Sequence, residues 1–251
     1  MRIVSAGITD IGRKRDRNED AFLINDELQL YVVADGMGGH AGGEYASALA
    51  VNTVEEIVLG MEFPSEAGEG EPDPVDVIKG RLREAVRLAG ARIHEWAGVH
   101  TEHRGMGTTV VVLLLHGGNA FFAHVGDSRI YAVRDRAIQQ VTEDHSLIAQ
   151  SIREGLITEE QAKFHRMRNV ITRALGFDQE VEVDVVVRAA IRGDTFLLCS
   201  DGLSGKVDDN EMRDALVDAD PQEGARHLVS LACQRGGEDN ITTLVVRVEA
   251  A

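Results

Sequence analysis

Clustered cations, cysteines and long apolar runs are all scarce in this 251-residue chain, and each scarcity removes a class of function. Lysine and arginine total 26 against 42 aspartates and glutamates, a net charge of -16. Phosphate backbones are held by clustered Lys and Arg. The only such cluster runs from Arg13 to Arg17, so no nucleic-acid partner is expected. The two cysteines, Cys199 and Cys233, are too few for a disulfide framework, and their apolar surroundings read as buried thiols. Neither begins the thiolate-to-arginine spacing of a cysteine-dependent phosphatase, because Gly205 and Asp239 stand six positions on. No stretch approaches the roughly 20 apolar residues of a membrane span. Met1 to Asp10 lacks the apolar core of a leader, so a cytoplasmic protein without a membrane partner is expected. A G-x-x-x-x-G-K-[ST] phosphate loop is missing, and His94-Glu95 lacks the second histidine of an HExxH zinc helix.

What is present is a large apolar fraction, 43%, in alternating short patterns. Arg2 to Thr9 and Ala21 to Ala34 read as strands, with Leu28, Leu30 and Val32 in alternation. Gly43 to Leu59 and Val75 to about Ala97 carry apolar residues at helical spacing, separated by an acidic Pro/Gly-rich loop, Gly60 to Pro74. Short strands at Thr108 to Leu115, Ala120 to Val125, Ile130 to Val133 and Ala137 to Val141, divided by turn residues, predict an antiparallel meander. An irregular helical excursion, 146-176, carries His165, Arg166 and Arg168. Strands at Val181 to Val187, Thr195 to Cys199 and Ile241 to Val248 follow, with helices near Asn210 to Asp218 and Pro221 to Arg235. Hairpins with helix pairs on either side predict an α+β layered sandwich rather than a doubly wound parallel sheet. With no internal repeat and no linker, residues 1-251 form one expected domain.

Three acidic stretches stand out: Tyr31 to Gly36 (YVVADG), Phe196 to Gly202 (FLLCSDG) and Gly236 to Thr242 (GGEDNIT). In each, an apolar run reads as a buried strand and the Gly or Asn beside the aspartate as a chain reversal, placing a carboxylate at a strand end. One Asp-Gly turn is ordinary, but three, with Glu19-Asp20 ahead of a further strand, suggest convergence at a sheet edge. Converging carboxylates repel one another unless a hard cation neutralises them. An all-oxygen set without Cys suits Mg²⁺ or Mn²⁺ rather than Zn²⁺. Two such ions can share a bridging water and clamp a phosphoryl oxygen, so hydrolysis at phosphorus is the implied chemistry. Arg15 fits as a guanidinium forked onto phosphate oxygens, although a solvated arginine would look the same in sequence.

A rival lies in the same region. Gly36-Met37-Gly38-Gly39-His40-Ala41 satisfies a G-x-G-x-x-A dinucleotide fingerprint, with Glu55 or Glu56 about 20 residues on. Hairpins in place of βαβ units speak against it, and it leaves Asp201, Asp239 and the Gly126-Asp127-Ser128-Arg129 turn without a role.

RDRNED (Arg15 to Asp20), DGMGGHAGGE (Asp35 to Glu44), GMGTT (Gly105 to Thr109), GDSR (Gly126 to Arg129), SDG (Ser200 to Gly202) and GEDNI (Gly237 to Ile241) are similar to the ordered motifs of a known family. It is the metal-dependent serine/threonine protein phosphatases, the protein phosphatase 2C family, in its bacterial form. The resemblance spans the chain and implies a four-layer α/β/β/α sandwich, two central antiparallel sheets flanked by helix pairs, with a binuclear Mn²⁺/Mg²⁺ centre at one edge. By position, it implies that Asp35 bridges two metals, the Gly36 carbonyl binds one, and Asp201 with Asp239 hold the other. Glu19 and Asp20 would orient metal-bound waters, Asp127 would bind a weaker third ion, and Arg15 would bind phosphate. Direct attack of the bridging water on phosphoserine or phosphothreonine would follow, with 146-176 as a variable flap. The implied partners are phosphorylated proteins, a serine/threonine kinase and its targets among them, in signal transduction, and a monomer is expected. One departure is Met37, where many eukaryotic members carry a histidine suited to protonating the leaving alkoxide. His40, three residues on, is the substitute general acid, with a metal-bound water as the alternative. The non-enzymatic alternative is a pseudophosphatase that binds a phosphoprotein or kinase without turnover.

Overall fold

Apolar alternation on strand β3 (Leu30–Met37) serves two faces at once. Leu30, Val32 and Ala34 pack under helices, while Tyr31 and Val33 face a second apolar layer. Both faces are buried because this strand lies inside a sandwich of two sheets. The computed structural model of the chain describes residues 2-38, 42-64, 72-162, 165-167 and 169-249. One sheet runs β2 (Asp20–Asn25), β3, β5 (Val110–His116), β6 (Asn119–Val125), β9 (Asp184–Ala189), with short β4 (Gly107–Thr108) paired to the end of β3. The other runs β1 (Arg2–Asp10), β11 (Ile241–Glu249), β10 (Thr195–Cys199), β7 (Arg129–Arg134), β8 (Ala137–Gln140), and all the ladders are antiparallel.

Three apolar layers hold the stack. Helices α1 (Gly42–Leu59) and α2 (Pro74–Val99) cover the first sheet through Val54, Leu82 and Ile93. The two sheets meet through Phe122, Phe196, Leu198 and Val246. Phe122 and Phe196 pack edge to face, centroids 5.4 Å apart, a geometry worth about 0.5–1.5 kcal/mol beyond area burial. Helices α6 (Asp209–Leu216) and α7 (Pro221–Gln234) cover the second sheet through Met212, Leu216 and Leu228. The expected α/β/β/α order is therefore the observed one. Aspartate caps fix where the outer helices begin: Asp73 precedes Pro74, Asp220 precedes Pro221, and Asp208 forms a reciprocal capping box with Glu211.

Four local expectations are corrected. The meander is split: β5 and β6 belong to one sheet, β7 and β8 to the other, and the chain crosses between them at Gly126-Asp127-Ser128. Gly126 has φ +106°, and a Cβ there would strike the Thr109 side chain, so this crossing needs glycine. Asp35-Gly36 is no chain reversal, since β3 runs on through Met37. Asp201 does not sit in a simple turn but opens a short helix, α5 (Asp201–Ser204). Strand β9 begins at Asp184 rather than Val181, because its pairing with β6 ends at His124 opposite Asp184, and the Val183 carbonyl accepts instead from Arg83 Nε at 3.3 Å. Within residues 146-176, α3 (Leu147–Arg153) and α4 (Glu159–Ala162) are joined by turns.

Candidate metal centre

The site forms where strand ends of both sheets meet. Asp20 opens β2 directly opposite Asp35 on β3, a like-charge cross-strand pair that is destabilising on its own. Asp201 follows β10, Asp127 lies in the sheet crossing, and Asp239 precedes β11. Each of the five is half-buried.

Their mutual proximity is written in their acidities. Burial raises Asp35 well above the usual carboxylate range, and the charges of Asp20, Asp201, Asp127 and Asp239 raise it further. Asp20 is raised by burial against hydrogen bonds from Thr242 and Ser200, and Asp201 by burial and Asp239, while sharing a hydrogen bond with Asp35. Burial and the Asp201 charge push Asp127 up to about 7. Glu19 is raised too, by burial first. Carboxylates held this way favour protons or a cation.

A dense hydrogen-bond frame fixes the geometry. Ser200 Oγ and Thr242 Oγ1 donate to Asp20 Oδ2 at 2.8 and 2.6 Å, whereas Asp20 Oδ1 is buried without a hydrogen-bond partner among the described residues. That orphaned oxygen fits a site made for a cation. The backbone of Asp35 is clamped by adjacent threonines: Thr109 Oγ1 accepts from its N–H at 3.1 Å, and Thr108 Oγ1 and the Thr109 N–H donate to its carbonyl at 2.9 Å each. Thr109 in turn bonds Ser128 at 2.7 Å, linking GMGTT to GDSR. Asp239 accepts from the Asn240 N–H at 2.9 Å and from Arg15 Nη2 at 2.8 Å. Arg15 thus sits on a carboxylate of the cluster rather than free, half-exposed, with its charge favoured by Asp239, Glu19 and Asp35.

Two glycines serve by size. A Cβ on Gly36 would collide with the carbonyls of Gly43 and Glu19, and one on Gly202 with that of Asn240. The Gly36 N–H also donates to the Glu19 carbonyl at 3.1 Å.

Arg15, Glu19, Asp20, Asp35, Gly36, Asp127, Asp201 and Asp239, all singled out in the sequence, gather at this edge. His40 lies outside the described residues, as does Arg168. Sequence reasoning gave no role to Asn240, Ser200, Thr242 and Thr109. Asn240 Oδ1 accepts from the Glu19 N–H at 2.8 Å, while its Nδ2 donates to the carbonyls of Ile11 and Arg17 at 3.0 and 2.9 Å. Their only signal was position inside a motif, with Ser200 and Asn240 directly beside an aspartate. An open groove of about 1210 Å³ leads from Asp127, Asp201 and Asp239 outward between Ile148 and Ile152 of α3 and the Lys206-Val207 side.

Two face-packed sheets with an oxygen-only carboxylate cluster at one edge define a class: an α+β sandwich protein built to gather hard cations. The profile described as Protein phosphatase 2C matches residues 12–234. The serine/threonine phosphatase stp of Listeria welshimeri is 38% identical over 242 residues, 95% of this chain and 93% of that protein. The protein phosphatase PhpP of Streptococcus pneumoniae is 34% identical over 243 residues, 95% of each. The crystal structure of the Mycobacterium tuberculosis serine/threonine phosphatase PstP/Ppp superposes with a TM-score of 0.88 at 35% identity, covering 99% of both chains. The catalytic domain of PstP in complex with two manganese ions gives 0.85 at 35% identity, again over 99% of both. This chain belongs to the protein phosphatase 2C family.

Proposed function

We propose that this chain is a metal-dependent phosphatase that hydrolyses phosphoserine and phosphothreonine in proteins. The observation that carries it is the buried carboxylate cluster, with its unpartnered Asp20 oxygen, in a fold shared with a phosphatase crystallised with two manganese ions. When bound, a pair of Mn²⁺ or Mg²⁺ ions supplies an acidified water and neutralises phosphoryl charge. Asp35, Gly36, Asp201 and Asp239 would hold that pair, and Asp127 a weaker third ion. Asp20, pinned through Oδ2, would use Oδ1, unpartnered among the described residues, to orient water, with Glu19 beside it. Arg15, released from Asp239, would fork onto the phosphate oxygens.

Direct hydrolysis rather than a thiol intermediate is supported by Cys199, whose complete burial pushes its thiol up to about 12. His40 is proposed as the acid for the leaving alkoxide: His40→Ala should spare nitrophenyl phosphate relative to a phosphopeptide, and equal losses on both would sink that role. A partner serine/threonine kinase and its targets are proposed as the phosphoproteins, with a cytoplasmic monomer as the working form; family resemblance supports the kinase, and no described helix is long and apolar enough to cross a membrane.

Phosphate release from a phosphothreonine peptide, stimulated by Mn²⁺ and stopped by a chelator, is the expected result. Metal binding without turnover would favour the pseudophosphatase instead. Asp35→Asn and Asp239→Asn should each lower turnover by roughly two orders of magnitude or more, since each removes a charge from the cation site.

A further inference from the structure

His145 stands just before the flap, and none of the proposed catalytic or metal-binding roles uses it. Its N–H donates to the Gly126 carbonyl at 2.9 Å, and its ring Nδ1 accepts from the Gly126 N–H at 3.2 Å. The residue therefore grips both polar groups of Gly126. A backbone N–H only donates, so Nδ1 is bare and the neutral ring carries its proton on Nε2, 2.8 Å from Asp184 Oδ2. Asp184 also accepts from Arg173 Nη1 at 3.2 Å, and Arg173 Nη2 reaches Glu182 at 3.1 Å. The ring of His124 stacks on that of His145, centroids 4.8 Å apart. Packed this way, the His145 side chain is only 6% exposed.

The neighbouring residue completes a bracket. Asp144 accepts a two-pronged bond from Arg129, at 2.9 Å from Nε and 2.7 Å from Nη2. Gly126 and Arg129 lie on either side of Asp127, and both are tied to residues 144-145 at the root of the flap.

We infer that His145 is a positioning residue for Asp127: Asp184 fixes its tautomer, and the bare Nδ1 holds the Gly126 amide so that the Asp127 carboxylate faces the metal cluster. The inference rests on the reading of Asp127 as a ligand of the weaker ion. The His124, His145 and Asp184 trio also has the composition of a metal site, but a cation already stands there. The Arg173 guanidinium lies 3.3 Å from His145 Nε2 and 3.2 Å from Asp184. The trio's donor atoms spread over as much as 4.8 Å, whereas tetrahedral zinc at about 2.0–2.1 Å would draw them to about 3.3 Å.

The test is calorimetric titration of the chelator-treated full chain with Mn²⁺. In His145→Asn, the amide oxygen takes the place of Nδ1, and the weak binding event should survive. In His145→Ala and His145→Gln that acceptor is lost, and the weak event should fall by about tenfold or more while the tight events stay unchanged. Wild-type binding by His145→Ala, or equal losses in His145→Asn and His145→Gln, would overturn the inference. If His145→Ala fails to fold, as judged by thermal melting, the Asn and Gln pair still decides. Asp127→Asn separates the two layers. If it retains every Mn²⁺ event, the ligand reading itself fails. If it loses the weak event while His145→Ala keeps it, only the positioning role fails.

Discussion

Asn240 shows how a side chain without reactive chemistry sets a reactive site. It is 5% exposed and bonds Glu19, Ile11 and Arg17, so one amide anchors both ends of the segment bearing Arg15, Glu19 and Asp20. Asn240→Ala leaves three backbone groups to find water in a crowded place. The loss should be about 2–3 kcal/mol, a fall of about 5–10 °C in Tm for a chain of this size, measured by scanning calorimetry. Phosphopeptide kcat and KM should both worsen, because Arg15 and Glu19 lose their common anchor. Arg15→Ala makes a different mark. The arginine is half-exposed and its partner Asp239 belongs to the cluster, so stability should change little while KM for phosphopeptide rises about tenfold or more with a smaller change in kcat. Steady-state kinetics separates the two variants, and an unchanged KM in Arg15→Ala would remove its phosphate role.

At the scale of elements, the decisive piece is the connection from β3 to α1. The helix start at Gly42-Gly43 lies against Gly36 so closely that no Cβ fits between them. Gly36→Ala has no backbone strain to relieve, since its φ is not positive, and must instead push α1 or the Glu19 carbonyl away. Overpacking of this kind costs about 1–3 kcal/mol, and moving Asp35 and Glu19 apart should lower activity further than the stability loss explains; comparing Tm with kcat on the purified variant checks this. The helices, most strands and the layer order were legible because each element repeats an apolar period over many residues. The split of the meander was not, since nothing local to Ala120–Val133 says which sheet a strand joins; that choice is made by β10 and β9, some 60 residues on. The same limit explains the site. Asp35, Asp201 and Asp239 could be picked out by their motifs, whereas Ser200 and Thr242 matter only because Asp20, about 180 and 222 residues away, is brought between them.

Over the whole molecule the cluster acts as a charge stored at one edge, and its sign dictates how stability follows pH. In the unfolded chain aspartates titrate near about 3.9. In the folded chain, burial and mutual repulsion raise Asp20, Asp35, Asp127 and Asp201, with Asp127 at about 7. Between roughly pH 4 and pH 7 the native state thus holds more protons than the unfolded one, and its stability falls as pH rises through that window. His124 and His145 pull the other way: burial lowers both, so below about pH 6.5 the unfolded state binds their protons more readily and stability rises with pH. Above about pH 6.5 the unfolded imidazoles no longer take up protons and the raised carboxylates act alone, so there stability declines as pH rises. A divalent cation binds the deprotonated carboxylates and must displace their protons, so its stabilisation grows as pH rises. Melting the chelated and the Mn²⁺-loaded chain side by side should therefore show a Tm difference that widens from about pH 5 to about pH 7.5, through the titration range of Asp127. The widening should shrink in Asp127→Asn, which carries no titrating carboxyl at that position. A Tm difference that stays flat with pH would mean that the gathered aspartates do not exchange protons for metal, and the cation centre would have to lie elsewhere.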